Sequence, residues 1–163
     1  MIGKQDAVKS VEALFQEALT LEQSGDLIRA SQLLERARVL APDNADVTLA
    51  CGRLLNDLSR AGEAVDIYAA YLTEYGDNAE VLYQISYYLA LAARFDEADK
   101  YLQRGDKFGP GDGLFCTLYG AVALARGEHE QAAAKYRRAI ELGNDDEHVV
   151  NDLGVVLQEL ERY

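Results

Sequence analysis

The chain has 163 residues, 49% of them apolar and 27% charged, and a net charge of −12. That length and apolar share support one domain with a proper core, and no run of about 18 apolar residues is present to cross a membrane. So acidic a balance argues against nucleic acid, whose phosphates need a lysine and arginine footprint.

Residues 1–10 read as a lead-in, with a lysine but no apolar segment behind it, so no secretory signal is expected there. From Val11 the sequence repeats with a period of 34, in units 11–44, 45–78, 79–112 and 113–146, and a fifth unit occupies 147–163. Three rungs carry the period. Ala30, Ala64, Ala98 and Ala132 form the first. Ala18, Gly52, Ser86, Gly120 and Gly154 form a second, also of small residues. Leu34, Tyr68, Leu102 and Tyr136 form the third, which is bulky. Small against small with a large neighbour one turn on lets two helices approach closely and lock. A period of this length marks a helical solenoid whose repeats stack to bury their apolar faces.

Each unit is expected to hold a helix over about its first 14 positions, a tight turn, and a second helix of similar length. In chain order, Gly25-Asp26 breaks the first unit and Gly127-Glu128 the fourth. Between units stand Pro42-Asp43-Asn44, Gly76-Asp77-Asn78, Pro110-Gly111-Asp112 and Gly143-Asn144-Asp145-Asp146. There Gly or Pro ends one helix and Asp or Asn caps the next. First helices carry apolar stripes at helical spacing. Examples are Val47, Cys51, Leu54, Leu55 and Leu58 in the second unit, and Val149, Leu153, Val156, Leu157 and Leu160 in the fifth. Burying such a stripe contributes on the order of 10 kcal/mol before conformational entropy offsets most of it. No single repeat is expected to fold alone.

The small–aromatic–alanine–proline pattern resembles the tetratricopeptide repeat. The first unit supplies Ala18, Gly25-Asp26, Ala30, Leu34, Ala37 and Pro42, and the fourth Gly120, Gly127, Ala132, Tyr136 and Ala139. The resemblance covers residues 11–163. Tyr71 and Gly105 depart from the usual alanine late in the second helix, and Gly76 and Asn144 from the usual proline. The resemblance implies an all-α, right-handed superhelical solenoid whose first helices line a concave groove, and it implies protein binding rather than a reaction. The groove positions hold Glu12, Phe15, Leu19, Glu22 and Gln23, then Asp46, Leu49, Arg53, Asn56 and Asp57. They continue with Glu80, Tyr83, Tyr87, Ala90 and Leu91, and with Leu114, Thr117, Ala121, Leu124 and Ala125. An apolar floor with an acidic rim is the expectation, with Phe15, Leu19, Leu49, Arg53, Tyr83, Tyr87, Leu114 and Thr117 as candidate contacts. Tyr83 and Tyr87, spaced i, i+4, present both rings on one face. They either anchor a ligand or pack against a neighbouring segment.

Two known chemistries of such repeats are not expected. The clamp for acidic chaperone tails needs lysine, asparagine and arginine where this chain has Phe15, Leu19, Ala50, Glu80 and Gln84. The asparagine ladder of sugar-transferring relatives needs Asn where it has Gln16, Ala50, Gln84, Leu118 and Asp152. His129 reads as a plug for the fourth turn, and His148, after Asp145-Asp146-Glu147, as part of ordinary helix-start chemistry rather than a metal site. Gly109-Pro-Gly-Asp-Gly113 is a connector, with no strand before it and no Lys-Ser/Thr after it. Lone Cys51 and Cys116 read as core residues of a reducing compartment, so the cytoplasm is expected, although a removed signal peptide would leave the same sequence. No nucleophile–base pair stands at readable spacing, and neither an enzyme nor a cofactor is expected.

The functional expectation is an interaction scaffold that binds an apolar or amphipathic, net basic peptide segment, since the acidic surface favours basic partners. One alternative is a chaperone or assembly factor for secretion or membrane-complex subunits. Another is a repeat region of a longer enzyme such as a glycosyltransferase. The fifth unit has the apolar stripe of an internal repeat: either the array continues past Tyr163, or another subunit covers residues 149–160 by self-association.

Overall fold

The computed structural model describes residues 10–108 and 112–161, so the 1–10 lead-in apart from Ser10, the Gly109-Pro110-Gly111 connector and the last two residues lie outside the described residues. The described residues hold nine helices and no strand. They are α1 (Val11–Gln23), α2 (Leu27–Leu40), α3 (Ala45–Asp57), α4 (Ala61–Glu74), α5 (Ala79–Leu91), α6 (Phe95–Asp106), α7 (Gly113–Ala125), α8 (His129–Glu141) and α9 (Glu147–Leu160). Each of the four repeats gives a pair of helices, as the period predicts, and the fifth unit gives one. The helices group into two compact units: Met1–Gly76, with α1 to α4, and Asp77–Tyr163, with α5 to α9.

Capping follows the linker chemistry at most first helices. The side chains of Ser10, Asn44, Asn78 and Asp112 each accept from a backbone N–H three residues on, at 2.9–3.2 Å. Each satisfies a donor that the first turn leaves unpaired. Asp146, at the head of α9, makes no such bond. Gly25 and Gly127 hold positive φ at the turns of the first and fourth repeats (84° and 77°), which glycine adopts without a Cβ penalty. The same place in the second and third repeats is taken by Ser59 and Ala93, at φ 61° and 55°. The left-handed turn is therefore a constant of the repeat even where glycine is not.

In the first unit the core gathers Leu14, Ala18, Ala30, Leu34, Ala37, Val47, Ala50, Cys51 and Leu54. The small rungs let α1 meet α2 and α3 meet α4 at close range. Tyr68 is fully buried, and its hydroxyl donates to the Leu49 carbonyl at 3.2 Å. Tyr71, which departs from the usual alanine, has a use of its own: its hydroxyl donates to the Asp43 carbonyl at 3.2 Å and its ring lies 5.3 Å from that of Tyr75.

In the second unit α5 and α6 bury Val81, Leu82, Ile85, Leu89, Ala98 and Leu102. A second cluster joins α7, α8 and α9 through Cys116, Ala123, Ala132, Ala133, Tyr136, Ala139, Val149 and Val156. Gly105 is explained here as well. A β-carbon on it would lie 2.6 Å from the ring of Phe115, so the glycine makes room for an aromatic from the following helix. Charge also ties this unit together. Arg126, just past α7, pairs with the buried carboxylate of Asp99 on α6 and with Asp96 and Glu128 at 3.2 and 3.0 Å. Lys135 reaches Asp106 at 2.6 Å and lies over the Tyr119 ring at 4.4 Å.

Candidate binding surface

The first helices carry the candidate contacts, and the two units present them differently. In the second unit, α5 displays a stripe of Tyr83, Tyr87 and Leu91 at successive i, i+4 steps. Tyr83 is half-buried, Tyr87 is 39% exposed and Leu91 is 65% exposed. The rings of Tyr83 and Tyr87 stack at 6.3 Å with an interplanar angle of 14°. Tyr87 also leans on Tyr88, 5.6 Å away, so its ring is braced from the core side. Burial, helped by the charge of Asp112 and by Tyr87 and Glu80, raises the phenol of Tyr83 above its ordinary value. It stays a neutral hydrogen-bonding group throughout the physiological range.

On α7, Leu114 is 56% exposed, the largest apolar side chain that this helix leaves open to solvent. Thr117 is half-buried and its hydroxyl is engaged twice: it donates to the Gly113 carbonyl at 2.9 Å and accepts from the Asn144 side-chain amide at 2.7 Å. A ligand reaching Thr117 would find its methyl group more readily than its hydroxyl.

In the first unit the candidates sit lower. Phe15 is partly buried and packs against the unit's core. Leu49 is half-buried. Leu19 and Arg53 are brought together: with Glu22, Gln23, Leu27 and Asp57 they line a shallow depression of about 360 Å³. Arg53 is held there by a two-pronged bond to Glu22, at 3.2 and 3.0 Å. Such bidentate pairing fixes the guanidinium plane, and it also largely cancels the arginine's charge. Of the carboxylates at the groove positions, Glu12, Asp46 and Asp57 are exposed in this unit, and Glu80 is exposed in the second.

One feature of the first unit escapes sequence reading. Residues of α2, α3 and α4 enclose an open groove of about 850 Å³, with Leu34, Leu54, Leu55 and Ile67 among its lining and Cys51 at its floor. Its rim is salted by the ion pairs Arg38–Glu35 and Arg60–Glu63. Burial pushes the Cys51 thiol up to about 12, so it is an inert wall rather than a nucleophile. The i, i+3 Glu and Arg spacings are visible in the sequence, but they are common on any solvated helix face and give no pointer to a groove.

Cys51 and Cys116 are buried free thiols. His129 is half-buried at the start of α8, with no hydrogen-bond partner for its Nδ1, and His148 is exposed. Among the described residues no cluster of His, Cys, Asp or Glu could hold a metal ion, and no helix is long and apolar enough to cross a membrane.

No family model matches the sequence, and no curated protein matches it. Solved structures do resemble it. MamA of Desulfovibrio magneticus RS-1, from residue 41 to its end, superposes with a TM-score of 0.81 at 14% identity, over 93% of this chain and 85% of that one. PilF of Pseudomonas aeruginosa superposes with a TM-score of 0.77 at 22% identity, over 94% of this chain and 70% of that one. Likeness at such low identity speaks for architecture, which agrees with the 34-residue period and the paired helices. The chain has the all-α solenoid fold of tetratricopeptide-repeat proteins.

Proposed function

We propose that this chain is a protein-interaction scaffold whose first-helix faces receive an apolar or amphipathic, net basic peptide segment of another protein. The observation that carries this reading is the α5 stripe of Tyr83, Tyr87 and Leu91, half-buried at Tyr83 and open at Tyr87 and Leu91, rather than sealed in the core. Tyrosine rings are stiff, carry a large apolar face and end in a polar tip, so they contribute contact area at little entropic cost. Leu114 extends the apolar character on α7 of the same unit, and Glu80 lies one turn from Tyr83. In the first unit, Leu19 beside the paired Arg53 and Glu22 offers a smaller apolar step with a polar margin. A net charge of −12 would speed the approach of a basic segment and oppose an acidic one. The fold supports the same reading, since solenoids expose extended surfaces suited to binding.

The test compares wild type with Tyr83→Ala/Tyr87→Ala in affinity capture from native lysate, followed by titration of the captured protein's segments as peptides. The double variant must keep the helical circular dichroism of wild type. Loss of the partner from the folded double variant, with tighter binding of basic amphipathic segments than of charge-reversed ones, supports the reading. A partner held equally by both proteins would overturn it.

A further inference from the structure

The repeat register matches the first unit's groove with a filled counterpart in the second unit. Two periods separate Cys51 from Tyr119, Glu63 from Gln131, Ile67 from Lys135 and Arg38 from Asp106. In the second unit Tyr119 is only 2% exposed. The Gln131 side-chain amide donates to its hydroxyl at 3.0 Å. Lys135 lies over its face at 4.4 Å and is held there by Asp106 at 2.6 Å. A phenol ring from α7 is thus enclosed by side chains of α8, with Asp106 of α6 fixing the lysine above it. In the first unit the matching residues Arg38, Cys51, Glu63 and Ile67 line the open groove of about 850 Å³. Cys51 is shorter than tyrosine by the whole ring, so α3 cannot close its own groove as α7 does.

The walls indicate what would fit. Leu34, Leu54, Leu55 and Ile67 supply apolar surface. The charged lining residues are Glu35, Arg36, Arg38, Arg60, Glu63 and Asp66, three of each sign. Two of the pairs are closed, Arg38–Glu35 at 2.7 Å and Arg60–Glu63 at 2.6 Å. On a chain of net charge −12 this is a locally neutral site, which gives a charged ligand no advantage. Glu63 stands where Gln131 meets the phenol of Tyr119, and a carboxylate can accept from a phenol hydroxyl. The volume exceeds one ring and falls in the roughly 300–1,000 Å³ range of sites that hold a larger ligand, so the chain flanking the ring has room as well. Residues 1–9 contain no aromatic side chain, so the lead-in does not supply the ring.

We propose that the groove between α2 and α4 binds an uncharged peptide segment of a partner protein through a tyrosine, whose ring rests on Cys51 beside Ile67 and whose hydroxyl donates to Glu63. The partner would supply in the first unit what Tyr119 supplies in the second. This site is separate from the Tyr83–Tyr87 stripe, and the two can fail independently.

The probe is a capped peptide, acetyl-Ser-Ala-Tyr-Ala-Ser-amide, titrated into the isotope-labelled whole protein and followed by NMR. The amide signals of Cys51, Leu54 and Ile67 should shift saturably. Leucine in place of the peptide's tyrosine should weaken binding about tenfold, as loss of an aromatic anchor does. Phenylalanine should weaken it about fivefold, since only the bond to Glu63 is lost. Cys51→Tyr puts the second unit's ring into the groove from within and should abolish binding in a protein that keeps its helical circular dichroism. If that variant does not fold, Cys51→Leu carries the same expectation with less bulk. Tyr83→Ala/Tyr87→Ala should bind the peptide as wild type does. No binding, equal binding of the leucine or phenylalanine peptide, or unchanged binding by a folded Cys51 variant would overturn the proposal. Binding that appears only after residues 1–9 are deleted would overturn it and assign the groove to the lead-in. A doubled mass in light scattering that Cys51→Tyr returns to a single mass would overturn it and assign the groove to a second copy.

Discussion

A β-carbon on Gly52 would stand 2.2 Å from both Cζ and the hydroxyl oxygen of Tyr68, a ring that is itself fully buried and tied to the Leu49 carbonyl. The ring cannot withdraw without losing that bond. Gly52→Ala is therefore expected to destabilise the protein by about 1–3 kcal/mol, the usual cost of overpacking a core. Tyr68→Leu alone should cost a similar amount by leaving a void. The double variant recreates the alanine-and-leucine pairing of Ala18 with Leu34, so it should lose clearly less than the sum of the two. Urea unfolding of the four proteins gives the coupling as a double-mutant cycle.

The left-handed turn offers a cleaner test of backbone strain. Ser59 and Ala93 hold φ of 61° and 55° where Gly25 and Gly127 serve the equivalent turns. A left-handed residue with a Cβ costs about 1–2 kcal/mol, and glycine's extra freedom in the unfolded chain returns part of that gain. Ser59→Gly and Ala93→Gly should each stabilise the fold by about 0.5–1 kcal/mol. Gly25→Ala should destabilise it by a similar amount, and since its β-carbon would meet nothing within 4 Å the effect is conformational alone. Thermal melts followed at the helical circular-dichroism band will show whether the signs are right.

These two cases mark what is legible in the sequence and what is not. The helices and their caps could be read because each repeat restates the same local chemistry: Asn44, Asn78 and Asp112 stand at one register and cap in one way. The turns at Ser59 and Ala93 could not be read from composition, since neither residue favours positive φ, and only the 34-residue register links them to Gly25 and Gly127. The fit of Gly105 against Phe115 joins two helices across a connector, and no spacing rule foretells it. At the candidate surface the register places a side chain on a face but does not say how deep it sinks. Tyr87 and Leu114 stand open, whereas Phe15 settles on the core and the Thr117 hydroxyl is occupied by Asn144. The partners of a charged residue are hidden for the same reason, as Arg126 illustrates.

Arg126 faces three carboxylates, and one of them, Asp99, is only 5% exposed and also accepts from the Gln103 side chain at 2.7 Å. Removing the arginine leaves a buried carboxylate without its cation. Breaking a fully buried pair costs roughly 3–5 kcal/mol. The Arg126 side chain is 24% exposed, so Arg126→Ala should cost less, about 2–3 kcal/mol after allowing for solvent screening. Arg126→Ala/Asp99→Ala should recover much of that loss, because it removes the stranded charge as well. Denaturant midpoints of the single and double variants decide the matter, and equal losses in both would show that Asp99 is not the group left uncompensated.

Alkali should weaken this protein through acids that the fold holds neutral. Burial, with the nearby charges of Asp99 and Asp106, pushes the Tyr119 phenol from 10.0 up to about 12, and burial alone is the largest cause of the rise of the Cys51 thiol from 9.0 to about 12. An acid whose folded value is raised keeps its proton longer in the folded chain than in the unfolded one. Its contribution to stability is therefore complete below the unfolded value and is lost as pH climbs towards the folded value. The melting temperature should fall as pH rises from 9 to 12, first through Cys51 and then through Tyr119. Tyr119→Phe keeps the ring under Lys135 but removes the ionisable hydroxyl, and Cys51→Ala removes the thiol. Each variant starts somewhat lower and should then decline less steeply than wild type over that window. A slope unchanged in both would place the alkaline transition on the other acids that burial raises, Cys116, Tyr83 and Tyr136.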